Sequence, residues 1–299
     1  GAEPSSVIAQ LLEQRHQFGG IDVLLTGVSF GGALAPEHAD AIRFRGIGGL
    51  GTHRTLSEAG ALDVIPARFS DFPQLIADGV IGADVMIVAV SEPDTDGMVS
   101  LGPTVALTHE LLARARVRIA EVNPNLPFVL GDTLVSLDRF DAVVRSDRMP
   151  VTMPDPGPPG LTVQRICHTV ASLIPDGATL QLGIGSIANA LPDHLRNHRR
   201  LGVHSAILTD GLMQLVRSGV ADGSSKEREP GVAVGGELIG STELYRFAHR
   251  NPRFVLRRSA EVLAPQTLTQ FRRLVSVNSA IEVDLTGQVN AETMTGIHV

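Results

Sequence analysis

The sequence has one cysteine, Cys167, no tryptophan and a single tyrosine among its 299 residues. One cysteine excludes an intramolecular disulfide and a zinc site built from several thiolates. Aromatic residues make up only 4%, so the apolar mass is aliphatic and suits parallel sheets covered by helices. Long hydrophobic runs are also lacking, because the apolar stretch at 85–90 is far too short to span a bilayer.

Basic residues are in deficit, with 25 Lys and Arg against 32 Asp and Glu and a net charge of −7. A general nucleic-acid partner is therefore not expected, since it requires a basic face. A small polyanionic ligand remains compatible, because helix N-termini and a few arginines can bind one locally. With no membrane span and no targeting segment visible, the composition predicts a soluble cytoplasmic enzyme.

Short apolar runs alternate with helical patterns along the chain, which predicts an α/β fold. Residues 155–160 are rich in proline and glycine and form the best linker. They divide the chain into an N-terminal half, 1–155, and a C-terminal half, 161–299. Each half contains a glycine-led turn entering a helix, at 1–7 and 183–188, which indicates two related halves. The first strand of the N-terminal half is expected upstream of Gly1.

Two stretches of the C-terminal half carry specific strand predictions. Residues 201–208 are mostly apolar and predict one continuous strand before the Thr209-Asp210-Gly211 turn. Residues 275–285 predict one or two buried strands. Within them Glu282 and Asp284 are two apart, so on a strand they share a face. They fit an acid/base pair, although a hydrogen-bonded polar sheet end is favoured.

The strongest local motif is the glycine turn at 180–188, where a strand passes through Gly183 and Gly185 into a helix. Such a turn presents bare backbone N–H groups and the positive end of a helix dipole, which suit a phosphate or an amide-rich chain such as pantetheine. An ordinary strand-to-helix turn explains the spacing equally well. A dinucleotide fingerprint, with Ala188 as its third small residue and Asp210 as its acid, is a weaker alternative.

Other polar residues favour structural roles. His204 and Ser205 are neighbours on a strand and point to opposite faces, which disfavours a catalytic pair. Cys167 and His168 lie in a helical stretch without metal-ligand spacing. The basic pairs at 257–258 and 272–273 are typical of solvated surface.

Several segments together resemble one family, in that family's order, over essentially the whole chain. The chain resembles the acetyl-CoA hydrolase/transferase family, close to the 4-hydroxybutyrate CoA-transferases, which are class I CoA-transferases. The segments that carry this resemblance are residues 1–4, Ser91 to Gly97, Ala120 to Pro124 with Gly131-Asp132-Thr133, Leu180 to Ile187, Leu201 to Ser205 with Thr209-Asp210-Gly211, Gly240 to Phe247, and Val277 to Val289.

This resemblance implies two open α/β halves with the active site in the cleft between them. It implies acyl-CoA and a small carboxylate as substrates, with no tightly bound cofactor and no metal. In the family a glutamate attacks the thioester and then carries CoA as a glutamyl thioester. By position, CoA is expected to contact five residues of the glycine turn, and Ile281 is expected to lie along the pantetheine. The five are Gly183, Ile184, Gly185, Ser186 and Ile187.

The chain departs from the family where His204-Ser205-Ala206 stands in place of His-Ser-Glu. A methyl group cannot attack a thioester, so the covalent route is lost at Ala206. Glu237, in a Gly-Gly-Glu sequence where the family implies an apolar residue, is a candidate substitute carboxylate. The resemblance also implies a glycine-rich segment beyond Val299 that helps to build the CoA and oxyanion site.

Three functions follow from the resemblance and from this departure. The first is a CoA-transferase whose glutamate has been replaced. The second is a glutamate-less enzyme that carries out acyl-CoA hydrolysis, acyl transfer or decarboxylation. The third is a non-catalytic acyl-CoA-binding subunit. A homo-oligomer, or complementation by the missing segments, is expected to keep the chain soluble.

Overall fold

The computed structural model describes residues 3–291, 293–294 and 297–298, so Gly1 and Ala2 of the predicted first turn lie outside the described residues. Short helices and strands alternate along the chain, which confirms the α/β class. The helices are α1 Ser5–Glu13, α2 Arg54–Glu58, α3 Phe72–Ala77, α4 Thr108–Arg114, α5 Leu161–Leu173, α6 Ser186–His194, α7 Asp210–Arg217, α8 Thr242–Ala248, α9 Ser259–Val262 and α10 Pro265–Leu268. The strands are β1 Ile21–Leu25, β2 Ile42–Gly46, β3 Leu62–Val64, β4 Val85–Val90, β5 Met98–Ser100, β6 Val117–Val122, β7 Leu130–Gly131, β8 Leu134–Ser136, β9 Ala142–Arg145, β10 Thr179–Leu182, β11 Gly202–Val203, β12 Ile207–Leu208, β13 Ala233–Gly235, β14 Glu237–Leu238, β15 Phe254–Leu256, β16 Leu274–Val277, β17 Glu282–Val283, β18 Val289–Asn290, β19 Thr293–Met294 and β20 Ile297–His298.

The N-terminal part contains two parallel three-stranded sheets, in the orders β1-β2-β3 and β4-β6-β9, and an antiparallel pair of β5 and β8. The apolar run of β4 buries Val88, Ala89 and Val90, as expected for a strand of a covered parallel sheet. Within the described ranges, no helix combines the length and the hydropathy that crossing a bilayer requires.

The C-terminal part is built on two parallel three-stranded sheets, β11-β10-β16 and β13-β15-β7. A parallel bridge between His204 and Val234 joins the two sheets. Strands β12 and β14 form a separate parallel pair, and Thr104 forms an isolated antiparallel bridge with Glu237 of β14. The carboxyl ends of β16, β10 and β11 therefore lie side by side, which is where open α/β sheets bind ligands.

The proposed division at 155–161 stays a prediction, and contacts cross it. Residues 146–160 contain neither helix nor strand, as the linker composition predicts. However, β7 belongs to the N-terminal part by sequence and pairs with β15 of the C-terminal part. One hydrophobic core cluster also contains buried residues from both sides of the linker, among them Val90 and Leu180.

Two strand predictions from the sequence are wrong in detail. The predicted strand at 201–208 is two short strands, β11 and β12, separated by a bend at Ala206. The end of the stretch at 275–285 is not buried, because β17 is exposed and forms an antiparallel hairpin with β18. Apolar alternation predicts extended backbone in both places, but it does not show where a strand leaves its sheet.

Candidate active site at the carboxyl ends of the second parallel sheet

The glycine turn predicted from residues 183–187 follows the buried strand β10. Gly183 stays tied to the sheet, since its N–H donates to the Val277 carbonyl at 3.1 Å. Gly185 has a φ of +109°, a backbone conformation that side chains with a Cβ rarely adopt. A Cβ at Gly185 would meet no heavy atom within 4 Å, so the turn faces open space. Ile184, Gly185 and Ser186 are exposed, and Ile187 is half-buried.

The first turn of α6 leaves a row of hydrogen-bond donors open. Asn189 makes the first helical bond, donating to the Gly185 carbonyl at 3.0 Å. The backbone N–H groups of 184–188 have no acceptor within the described part of the chain. Helix α6 is nine residues long, and its buried residues Ala188 and Leu191 fix it in the fold, so the positions of these donors are also fixed. Donors at a helix N-terminus suit phosphate, carboxylate or carbonyl oxygens.

A side-chain amide cluster lies beside this turn on β10 and β16. The Asn278 Nδ2 donates to Gln181 Oε1 at 3.1 Å and to Ser276 Oγ at 2.9 Å, and Ser276 Oγ also donates to Gln181 Oε1. A Cβ at Gly183 would approach Asn278 Oδ1 to 2.7 Å, so the absence of a side chain at Gly183 lets the cluster form. Sequence reasoning missed this cluster, although Ser276 and Asn278 are two apart on a strand and therefore share a face.

Ala206 lies between the glycine turn and Glu237. The preceding residue, Ser205, is fully buried, and its hydroxyl donates to the Leu182 carbonyl at 2.9 Å while accepting from the Leu182 N–H at 3.2 Å. The Ala206 carbonyl accepts from the N–H groups of Gly236 and Glu237 at 2.9 and 3.0 Å. The bend therefore fixes Ala206 next to both segments.

Glu237 carries a carboxylate without a hydrogen bond or ion pair to any other residue that the structure describes. The backbone of β14 is held by Ala206 on one side and by Pro103 on the other, because the Leu238 N–H donates to the Pro103 carbonyl at 2.7 Å. Burial raises the pKa of the Glu237 carboxyl above its ordinary value. A Cβ at Gly27 would lie 3.9 Å from Glu237 Oε2, so this glycine leaves space at the carboxylate.

Further acidic groups lie close to Glu237. The Tyr245 side chain is buried, with its hydroxyl 3.4 Å from the Val151 carbonyl. Burial chiefly, and then the negative charges of Asp210, Glu3 and Glu237, raise the pKa of Tyr245. Three carboxylates thus act on one phenol.

Asp210 does not behave as the acid of a dinucleotide site. Its carboxylate accepts from the Ser241 N–H at 2.9 Å and from the Ser241 hydroxyl at 2.5 Å. Ser241 caps α8, and a Cβ at Gly240 would approach Asp210 Oδ2 to 2.3 Å. Asp210 therefore joins the starts of α7 and α8, and the dinucleotide interpretation loses its ribose-binding residue.

His204 has the structural role that the sequence favours. Its Nε2 is 3.0 Å from the Val262 carbonyl, and its ring contacts Phe271 with centroids 4.7 Å apart. Burial lowers the pKa of His204. The nearby Lys226 ammonium donates to the Val203 carbonyl at 3.0 Å and to the Val232 carbonyl at 2.6 Å, and burial lowers its pKa to about 8.

Three further candidates from the sequence lie on α5 and on the hairpin of β17 and β18. Cys167 is buried, with its thiol 3.6 Å from the Ile187 carbonyl. Asp284 accepts hydrogen bonds within the tip of the β17–β18 hairpin, including one from Gln288 N at 2.9 Å, which favours the polar sheet end over an acid/base pair. Ile281 stands at the base of that hairpin, 37% exposed, and its N–H donates to the Asn290 carbonyl at 2.8 Å.

Comparison with known sequences gives matches over most of the chain. Residues 13–154 match the acetyl-CoA hydrolase/transferase N-terminal domain, and residues 240–299 match the corresponding C-terminal domain. The chain is 33% identical to the 4-hydroxybutyrate coenzyme A transferase of Clostridium kluyveri over 98% of its own length. It spans 68%, 51% and 66% of the lengths of three curated CoA-transferases that it matches.

Solved structures agree with the sequence matches. RipA from Yersinia pestis superposes with a TM-score of 0.91 at 28% identity, covering 98% of this chain and 70% of that one. A 4-hydroxybutyrate CoA-transferase from Porphyromonas gingivalis superposes with a TM-score of 0.76 at 29% identity, covering 97% of this chain and 75% of that one.

Proposed function

Because this chain belongs to the acetyl-CoA hydrolase/transferase family, we propose that it is an acyl-CoA-binding enzyme of the CoA-transferase type. With a glutamate at position 206, such an enzyme moves CoA between an acyl-CoA and a small carboxylate. One observation carries the proposal for this chain, namely the row of open backbone donors at 184–188. These donors lie at the carboxyl end of a parallel sheet, where α/β folds bind their ligands.

The proposed site places the pantetheine of acyl-CoA along the glycine turn. The backbone of Gly183, Ile184, Gly185, Ser186 and Ile187 would contact it, and Ile281 would lie along its chain. The pantetheine amide oxygens can accept from the open N–H groups. The exposed side chains of Ile184 and Ile281 supply apolar surface. Coenzyme A is then a substrate, and no tightly bound cofactor is required.

In the proposed site, the family's covalent route is interrupted at Ala206. A carboxylate at this position would attack the thioester and form a mixed anhydride, but a methyl group has no nucleophilic oxygen. We also propose that the protein is cytoplasmic, where acyl-CoA is available, and that it forms a homo-oligomer. The exposed edge strand β9 supports the latter as a surface for assembly.

Binding of CoA by the Gly185→Val variant tests the site assignment. We expect its affinity to fall about tenfold or more, because the Cβ strains the turn and enters the space over the donors. Gly20→Val is the matched control, since Gly20 has a φ of +100° and equally empty surroundings. Isothermal calorimetry with CoA measures both. Equal affinity in the two variants would place the ligand elsewhere.

A further inference from the structure

We propose that Ser205 is a positioning residue, whose side chain holds residue 206 at the start of the glycine turn. The inference rests on the proposed function, because it takes the thioester of acyl-CoA to lie on that turn. It goes beyond that function by naming the group that sets residue 206 against the ligand. Ser205 touches no substrate in this role and acts through residue 206.

The Ser205 hydroxyl takes the place of backbone hydrogen bonding between β11 and β10. The two strands pair in parallel, and the His204 N–H donates to the Leu180 carbonyl at 3.0 Å. A regular ladder would continue with the Ala206 N–H donating to the Leu182 carbonyl. In the described part of the chain, that carbonyl accepts instead from Ser205 Oγ at 2.9 Å, and the Leu182 N–H donates to the same oxygen at 3.2 Å.

On its other side, the chain turns away from β10 at the same point. The Ser205 N–H donates to the Val234 carbonyl at 3.0 Å, and the Ala206 carbonyl accepts from the N–H groups of Gly236 and Glu237 at 2.9 and 3.0 Å. Consecutive residues of a straight strand direct their backbone groups to opposite neighbours, but here both residues bond the segment of β13 and β14. The backbone at the bend is therefore committed to that segment, and the Ser205 hydroxyl keeps the bend attached to β10.

The glycine turn and residue 206 depend on different anchors. The turn is held without Ser205, because the Gly183 N–H bonds the Val277 carbonyl and β10 pairs with β16 over four residues. The bend depends on the bonds between Ser205 and Leu182, which are 0% and 1% exposed, so water does not replace these bonds when the hydroxyl is lost. Loss of the hydroxyl should therefore shift residue 206 and leave the turn in place.

The test compares Ser205→Ala with its parent in two measurements. Calorimetry on the chain as it stands should give a CoA affinity within about twofold of the parent's, because β16 anchors the turn. The second measurement uses chains that also carry Ala206→Glu, with acetyl-CoA and butyrate as probes for CoA transfer. There Ser205→Ala should lower kcat about a hundred-fold with little change in KM, since a misplacement of about 1 Å can cost this much.

Two further variants serve as a rescue and a control. Ser205→Cys keeps a weak donor and a weak acceptor in a similar volume, so it should recover part of the lost kcat. Thr209→Val is the matched control, because the Thr209 hydroxyl is also buried, lies just beyond Ala206 in the chain, and has no hydrogen-bond partner among the described residues. It should leave both CoA affinity and kcat unchanged.

The outcomes separate this inference from the proposed function. Absence of CoA binding by the chain as it stands would reject the proposed function, and the inference with it. CoA binding without transfer by Ala206→Glu would overturn the inference alone, because residue 206 would then not face the thioester. Equal kcat with and without the Ser205 hydroxyl would also overturn it. Should Ser205→Ala fail to fold, Ser205→Cys decides the question, since a kcat equal to its parent's would contradict the inference and a reduced kcat with unchanged KM would support it.

Discussion

Two helix N-termini in this molecule, those of α1 and α6, differ in what their backbone N–H groups contact. At α1 the N–H groups of Ser6 and Val7 both donate to Glu121 Oε2 at 2.9 Å, and Glu121 is almost fully buried. At α6 the N–H groups of 184–188 have no acceptor in the described residues. The first terminus already holds an anion supplied by the protein, while the second is open to a ligand.

This difference shows that a helix N-terminus does not by itself define a binding site. Both termini have the same donors and the same dipole direction. Glu121 closes the first one from β6, 115 residues along the chain from Ser6. The second faces β16, where the neighbouring polar group is the amide of Asn278 and not an anion. The presence or absence of an internal carboxylate decides which helix N-terminus remains open to a ligand.

The largest expected effect comes from restoring a nucleophile beside the open terminus. Ala206 supplies no carboxylate, so we expect no glutamyl-CoA thioester in the chain as it stands. Ala206→Glu should form this adduct and transfer CoA with ping-pong kinetics, since removing a covalent nucleophile typically costs on the order of a million-fold in turnover. Mass spectrometry after borohydride trapping detects the adduct. If Ala206→Glu gives neither an adduct nor CoA transfer, the chemistry does not occur beside the open N-terminus of α6.

The next effect concerns the closed terminus. Glu121→Ala removes the acceptor of two partly buried backbone N–H groups, those of Ser6 and Val7, and leaves them unpaired, so the free energy of unfolding should fall by about 3 kcal/mol. Urea denaturation measures this change. Glu13→Ala, an exposed carboxylate on the same helix, should change stability by less than about 0.5 kcal/mol. A similar small change for both variants would show that Glu121 does not close α1 in solution.

The smallest effect comes from closing the open terminus artificially. Ser186→Asp puts a carboxylate at the first residue of α6, which should stabilise the fold by about 0.5 kcal/mol through the helix dipole. The same carboxylate should lower CoA affinity about tenfold, because it accepts hydrogen bonds from the open N–H groups or repels the negatively charged CoA. Thr162→Asp, at the exposed start of α5, is expected to stabilise without affecting CoA binding. Calorimetry and urea denaturation distinguish the two variants. Unchanged CoA affinity in Ser186→Asp would show that the open N–H groups of α6 do not bind CoA.

The elements that the sequence predicts well are those with a strong local pattern. The apolar stretch at 85–90, for example, forms strand β4. Strand β2 was missed because Arg43 and Arg45 interrupt its apolar residues, although they occupy its more exposed face. Local pattern does not show that β11 and β12 separate, since the bend depends on Ser205 reaching across to Leu182.

The candidate site was predictable only where its residues are contiguous. The glycine turn at 183–187 is one segment, and its open donors follow from strand–turn–helix geometry. The amide cluster joins Gln181 to residues of β16, which lie 95 to 97 positions further along the chain, so no local pattern reveals it. The contact between Glu237 and Ala206 likewise depends on a strand pairing.

The pairing of β7 with β15 also constrains how the chain is synthesised and folded. Asp132, next to β7, contacts Arg257, next to β15, across 125 residues. During translation β7 leaves the ribosome long before β15 is synthesised, so β7 remains unpaired until then. The N-terminal part therefore cannot complete its packing until β15 has been made, and the pairing closes a large loop at an entropic cost.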